Sequence, residues 1–369
     1  MTVGNPARGI IKFAIPLILG YILQQMYLIV DAAIVGRWIG VNALAAVGAS
    51  ASVMFLVMGF CNGACAGFAI PISRAFGAKD YKKMRAYVAN SIRVSLVMIV
   101  VITFFACAFC DKILHIVNTP REIFDDAYTF LLLQFLAIPF TLTFNLFAGY
   151  IRALGNSRQP FLFLIISSFV NILLDVLLIL ILGMGVAGAG LATLLSQLFA
   201  SILSVWYVSR HMTMLIPHGE ERAFDNKRIS ILLNNGIPMG LQVSITAIGI
   251  ILLQSSNNAL GTVYVASFTA AVRIKYLFIC VFDNIGVAMA TYCGQNIGAG
   301  RLDRVRQGEW AAVKIMLVYF VLTALIIFPF SGYMMELFVN GGSQEVADNA
   351  AMLMRISCYF YPVLGLLSI

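Results

Sequence analysis

Long apolar stretches, broken at short intervals by clusters of charge, set the pattern of this chain. Ten of them approach or exceed the roughly 20 residues that a helix needs to cross a hydrocarbon core about 30 Å thick. They cover 11–34, 44–72, 88–110, 128–151, 160–182, 187–208, 231–257, 263–293, 311–331 and 350–369. The first continues well past the length of a signal-peptide core and has no small-residue cleavage site after it. It predicts a spanning helix that also serves as the insertion signal. The expected fold class is an all-α polytopic membrane protein.

Composition agrees. The chain is 61% hydrophobic and 11% charged, with a mean hydropathy of +0.93, whereas soluble domains run at about 25% charged. The net charge of +8 does not imply nucleic acid, because the basic residues sit in short loops between apolar spans. Arg8 and Lys12 precede or open the first span. Arg74, Lys79, Lys82, Lys83 and Arg85 follow the second, and Arg152 and Arg158 follow the fourth. Arg210, Arg222, Lys227 and Arg228 follow the sixth, and Arg301, Arg304 and Arg306 follow the eighth. The opposite loops hold only Arg37, Lys112 and Arg121. Excess Lys and Arg marks the cytoplasmic side, so the N-terminus is expected there.

The chain also repeats itself. AIPLILG (14–20) pairs with GIPMGLQ (236–242), their prolines 222 residues apart. SRAFGAKD (73–80) pairs with GQNIGAGR (294–301) at an offset of 221. HIVNT (115–119) pairs with LFVNG (337–341) at 222, and AIPF (137–140) with FYPV (360–363) at 223. Each landmark follows the same span of its half, so the two copies insert in the same orientation, related by an axis along the membrane normal. The first copy holds six spans and the second four. The expectation is two six-helix repeats of twelve helices in all, of which about ten are present and the second repeat is incomplete.

Several motifs reduce to structure. Gly183-Met184-Gly185-Val186-Ala187-Gly188 fits G-x-G-x-x-G, but a dinucleotide site needs a preceding strand and a βαβ unit. Here a tight external hairpin between two spans explains the glycines. Cys107 and Cys110 form a lone CxxC without the further ligands a zinc site requires. The seven cysteines and most of the 16 methionines read as core. His115, His211 and His218 carry no assigned role.

Intramembrane acids are harder to dismiss, because a carboxylate at the centre of a spanning helix costs roughly 2.5–3.5 kcal/mol on insertion scales. Asp31 and Asp175 are the two well-embedded acids of the first half. Asn171, four residues before Asp175, shares its helix face, and Gln24, seven before Asp31, shares that one. Counting from the outer glycines at 1.5 Å per residue places Asp31, Asp175 and Thr193 at one depth, roughly 8–12 Å below the outer edge. Asp31, Asn171, Asp175, Thr193 and Gln24 are therefore candidate ligands for a coupling Na+ or H+. Two carboxyls close together in a water-poor interior cannot both ionise cheaply. The plain alternative is an interhelical hydrogen-bond network.

The second half offers Asp283 and Gln242 as candidate substrate contacts; Asp283 could instead pair with Arg273 or Lys275. Pro16 and its repeat mate Pro238 free backbone groups inside spanning helices, and Pro16 is a candidate hinge of the first. No cofactor is expected beyond the coupling ion.

Five stretches together resemble the multidrug and toxic compound extrusion (MATE) family: VDAAIVGRWIG (30–40), FGAKDYKKMR (76–85), ALGNSRQP (153–160), QNIGAGRLDRVR (295–306) and the hairpin NILLDVLLILILGMGVAGAGLATLLSQ (171–197). The resemblance runs through most of the chain. It implies an N-lobe over 1–210, a cytoplasmic linker over 211–230 and a C-lobe over 231–369. It also implies a monomer in the cell membrane that exports organic cations, drugs or amphipathic metabolites in exchange for Na+ or H+ by rocker-switch alternating access. Within it, Asp31, Asn171, Asp175 and Thr193 match the N-lobe cation site, Gln24 a polar neighbour, and Pro16 a proline proposed to bend the first helix. The pattern of acids is closer to the DinF-like branch. A lipid-linked precursor flippase of the same superfamily, or an inactive transporter fragment, is the alternative; few basic residues suit a flippase cavity. No nucleophile, metal cluster or nucleotide loop points to an enzyme.

Overall fold

Helices follow the apolar stretches because a backbone in lipid must satisfy its N–H and C=O groups within its own segment. A computed structural model describes residues 1–117, 119–258, 261–339 and 344–368, except for the side chains of Ser52, Ile251, Gln254, Ser255, Asn258, Thr262 and residues 337–339. Asn118, Asn340 and Gly341, which belong to the repeat landmarks, lie outside the described residues. Twelve α-helices run in order among the described residues: α1 Pro6–Trp38, α2 Val41–Gly77, α3 Tyr81–Ala108, α4 Cys110–Ile116, α5 Phe124–Ala153, α6 Arg158–Asp175, α7 Gly185–His211, α8 Asn226–Asn258, α9 Thr262–Gly298, α10 Leu302–Val339, α11 Gln344–Tyr359 and α12 Tyr361–Ser368. Among the described residues there are no strands. Nine helical stretches among the described residues are long and apolar enough to span a membrane, and α11 with α12, bent by 47°, makes a tenth.

The repeat is visible in the helix ends. α2 closes with Lys79 N–H donating to Phe76 O and Asp80 N–H to Ala75 O. α9 closes with Gly300 N–H donating to Ile297 O and Arg301 N–H to Asn296 O. Lys79 and Gly300 both take positive φ, 57° and 71°, as a left-handed C-cap demands. The mates Pro139 and Pro362 differ: Pro139 lies inside continuous α5, while Pro362 opens α12 at the bend. A proline in the first turn has no helical N–H to lose, so the chain can break there at little cost.

The chain forms two units, Leu19–Ala247, and Met1–Ile18 with Ile248–Ile369. In the first, α5 is the central helix; Phe135, Ile138, Leu142 and Tyr150 are fully buried along it, and the Tyr150 hydroxyl meets Ser91 Oγ of α3 at 2.6 Å. The start of α8 packs tightly on α2. A Cβ on Gly63 would stand 2.5 Å from Met239 O, and one on Gly67 2.5 Å from Asn235 O. Only residues without a side chain permit that approach. In the second unit, Ile10, Phe13 and Ala14 of α1 share a core with Phe282, Met289, Tyr292, Met316 and Tyr361.

Candidate functional site

Three residues of α1, Gln24, Tyr27 and Asp31, stand at intervals of three and four, so they share one helix face. Asn171 and Asp175 share a face of α6 in the same way. Gly20 sets α1 against Leu164 and Phe161 of α6, and this close approach brings the two faces together. The result is contact between the carboxyls of Asp31 and Asp175. Asp175 is wholly buried, and Asn171 and Asp31 are 2% and 7% exposed. Tyr27 lies beside both acids and interacts with Gln24. The sequence alone did not single out Tyr27, although its spacing from Gln24 and Asp31 was a readable signal.

The backbone changes character at Asp175. α6 ends there and a π-helix covers Val176–Ile181, closed by Leu182 N–H donating to Leu177 O at 3.0 Å, five residues back. A π-turn carries one residue more than an α-turn and so re-aims the side chains around it; this one closes the span between Asp175 and the hairpin. The chain then reverses through Gly183 and Gly185, at φ 64° and 58°, the tight hairpin between two spans that the glycines predicted. One turn beyond the acids, Ile34 and Val35 of α1 pack with Ile179, Val186, Ala189, Ala43 and Phe130. This apolar layer lies between the carboxyls and the hairpin end.

Five buried polar atoms here have no hydrogen-bond partner among the described residues: Asp31 Oδ1, both Asp175 oxygens, and Asn171 Oδ1 and Nδ2. Buried polar atoms are ordinarily paired, and leaving one bare costs about 1–3 kcal/mol. Four of the five are oxygens, the ligand type that a hard cation takes. The Thr193 hydroxyl donates to Ala189 O at 3.2 Å, which leaves its oxygen lone pairs unspent; among the described residues no hydrogen bond links it to the two acids. Gln24 is exposed. No group of three or more His, Cys, Asp or Glu side chains suited to a metal occurs among the described residues.

The remaining candidates lie apart from this cluster. Pro16 is buried inside α1, in the second unit. Asp283 is exposed on α9, and among the described residues it forms no ion pair with Arg273 or Lys275. Gln242 is exposed on the first part of α8.

A family model, MatE, matches residues 16–177 and 238–369. The chain belongs to the MatE family. The two matched stretches begin at Pro16 and Pro238, the residues that set the repeat offset. Members of this family are transporters, not enzymes. “Probable multidrug resistance protein YpnP” of Bacillus subtilis (strain 168) is 30% identical over 366 residues, covering 99% of this MatE chain and 81% of that protein. “Multidrug export protein MepA” of Staphylococcus aureus (strain MSSA476) is 22% identical over 350 residues, covering 95% and 77%. A solved structure described as the outward-facing conformation of a multidrug resistance MATE family transporter of the MOP superfamily aligns with a TM-score of 0.91 at 24% identity, covering 98% of this chain and 80% of that one. That likeness is one of fold.

Proposed function

We propose that this MatE protein exports small amphipathic or cationic organic compounds in exchange for Na+ or H+, with Asp31 and Asp175 as the coupling site. The observation that carries the reading is the contact of two buried carboxyls whose neighbouring polar atoms lack partners. At a separation of about 4 Å two like charges repel by roughly 4 kcal/mol at an effective dielectric of 20. A shared proton or a bound cation removes that repulsion. Asp31, Asn171 and Asp175 supply the oxygens, and Thr193 adds a hydroxyl from α7. Gln24 orients Tyr27 beside them.

The ion acts through its different affinity for two conformations, since a ligand shifts an equilibrium only by that difference. Exchange then proceeds by alternating access between the two homologous halves, residues 1–210 and 231–369, joined by 211–230. Asp283 and Gln242 are substrate contacts of the second half in this scheme, and Pro16 is the hinge of α1. The names of the relatives support drug-like substrates, and the loop charges support a cell-membrane protein with a cytoplasmic N-terminus.

The test is efflux of a fluorescent organic cation from energised vesicles, with the Na+ and H+ gradients collapsed separately. Collapse of one gradient should stop efflux and name the ion. Asp175→Asn should insert normally and lose coupled efflux. Full efflux by that variant would overturn the assignment.

A further inference from the structure

A groove of about 900 Å³ lies in the unit formed by residues 1–18 and 248–369. Its walls are apolar along most of their length: Ile11, Ile15 and Ile18 of α1, Ile285 of α9, and Ile315 and Leu322 of α10. At one end it is lined by Arg306, Trp310 and Lys314, four residues apart and hence on one face of α10. A second depression shares Asn5, Ala7, Ile11 and Ile15 with this groove and adds Arg8 and Lys12. No acidic residue lines either. Among the described residues, none of the four cationic side chains has a hydrogen bond or ion pair. Their neighbours Arg301 and Arg304 are occupied, donating to Thr2 O and Gly4 O at 2.8 and 2.9 Å.

We propose that this groove binds one anionic phospholipid of the surrounding bilayer, its phosphate held by Lys12, Arg306 and Lys314 and one acyl chain laid along α1 and α10. Three features select that occupant. Four cations without a counter-charge call for an anionic group. Trp310 is 68% exposed beside them, where tryptophan marks the headgroup level of a membrane. The geometry also divides a polar end from an apolar one. Helical side chains lean toward the helix N-terminus, so the Lys314 ammonium reaches back toward Arg306 and snorkels out of the apolar zone. From Lys314 to Leu322, α10 continues for about 12 Å, close to the roughly 15 Å depth of one leaflet's hydrocarbon. The site is independent of the acidic pair and of the ion it takes.

The test uses the intact chain with Trp38→Phe and Trp206→Phe, leaving Trp310 as the one tryptophan. It is placed in phosphatidylcholine vesicles that contain a minor fraction of brominated phosphatidylglycerol or, in parallel, brominated phosphatidylcholine. Trp310 should be quenched severalfold more by the anionic lipid. One basic residue near an anionic surface is worth about fivefold in partitioning, so Arg306→Gln with Lys314→Gln should remove most of the preference for the anionic lipid. Arg306→Lys with Lys314→Arg should keep the preference and shows that a loss is not misfolding. Millimolar inorganic phosphate should not displace the lipid. Equal quenching in the parent, a preference undiminished in the glutamine pair, or displacement by phosphate alone would each overturn the proposal. Shielding of Trp310 from both lipids would mean that protein covers the groove, and would overturn it too.

Discussion

Arg85 of α3 and Glu221, in the connection between α7 and α8, are joined by two parallel hydrogen bonds: Nε donates to Oε2 and Nη2 to Oε1, each at 2.6 Å. Glu221 Oε2 also accepts from His218 N–H at 3.0 Å. Around this pair, Arg93 donates to Arg222 O, and Asn90 donates to Ala223 O at 3.4 Å and accepts from Asp225 N–H at 3.2 Å. The connection is fastened to α3 along its length. The Arg85 guanidinium holds the Glu221 carboxyl far below its ordinary 4.5, at about 2. A carboxyl with a depressed folded-state value stabilises the fold above its unfolded value, and that contribution is lost as pH falls through the folded one. The difference in thermal midpoint between the parent and Glu221→Gln should thus be constant above about pH 4.5 and close as pH falls toward about 2. At neutral pH the substitution should cost about 1–2 kcal/mol, discounted for partial exposure. A pH-independent difference would show that the pair contributes through packing alone.

Tyr27→Phe removes one hydroxyl beside the acids and leaves the ring. A net hydrogen bond of about 1 kcal/mol corresponds to roughly fivefold, so coupled efflux should slow by that order while Asp175→Asn abolishes it. Vesicle efflux at saturating substrate measures both. A phenylalanine variant as fast as the parent would remove Tyr27 from the site.

Deleting Leu177 should collapse the π-turn into regular α-helix, since a π-turn holds one residue more than the α-turn it replaces. The side chains between Asp175 and the hairpin then take new directions, while the chain beyond them keeps its register. The expected protein inserts and keeps its helix content by circular dichroism, yet fails to couple ion and substrate. Coupled efflux at the parental rate would mean that the π-turn is a packing detail.

Gly67→Ala places a methyl 2.5 Å from Asn235 O, whereas Gly48 has open space within 4 Å. Overpacking of this kind costs about 1–3 kcal/mol. Alanine at position 48 should be neutral or slightly stabilising, as alanine is preferred to glycine in a helix interior. Thermal unfolding in detergent compares the two directly; equal midpoints would show that α8 yields at no cost.

Much of this was legible in the sequence. The spans follow from apolar length, because lipid leaves a backbone no partner outside its own helix. Asp31 and Asp175 stood out because a carboxylate is costly in that setting, and Asn171 followed from its spacing of four from Asp175 on one helix. The repeat showed itself through residues with a backbone duty, such as the caps at Lys79 and Gly300. Other relationships depended on distance in space. Arg85 and Glu221 are 136 residues apart, and no local pattern announces such a pair. The π-turn at Val176–Ile181 falls in an unbroken apolar run, where hydropathy is the same for either helix. The cationic groove needs α1 and α10 side by side, which only the packed chain supplies. Composition and periodicity determine what each segment must be in lipid. Which side chains meet is decided by packing, because a contact between distant residues depends on how helices settle against one another and not on either segment alone.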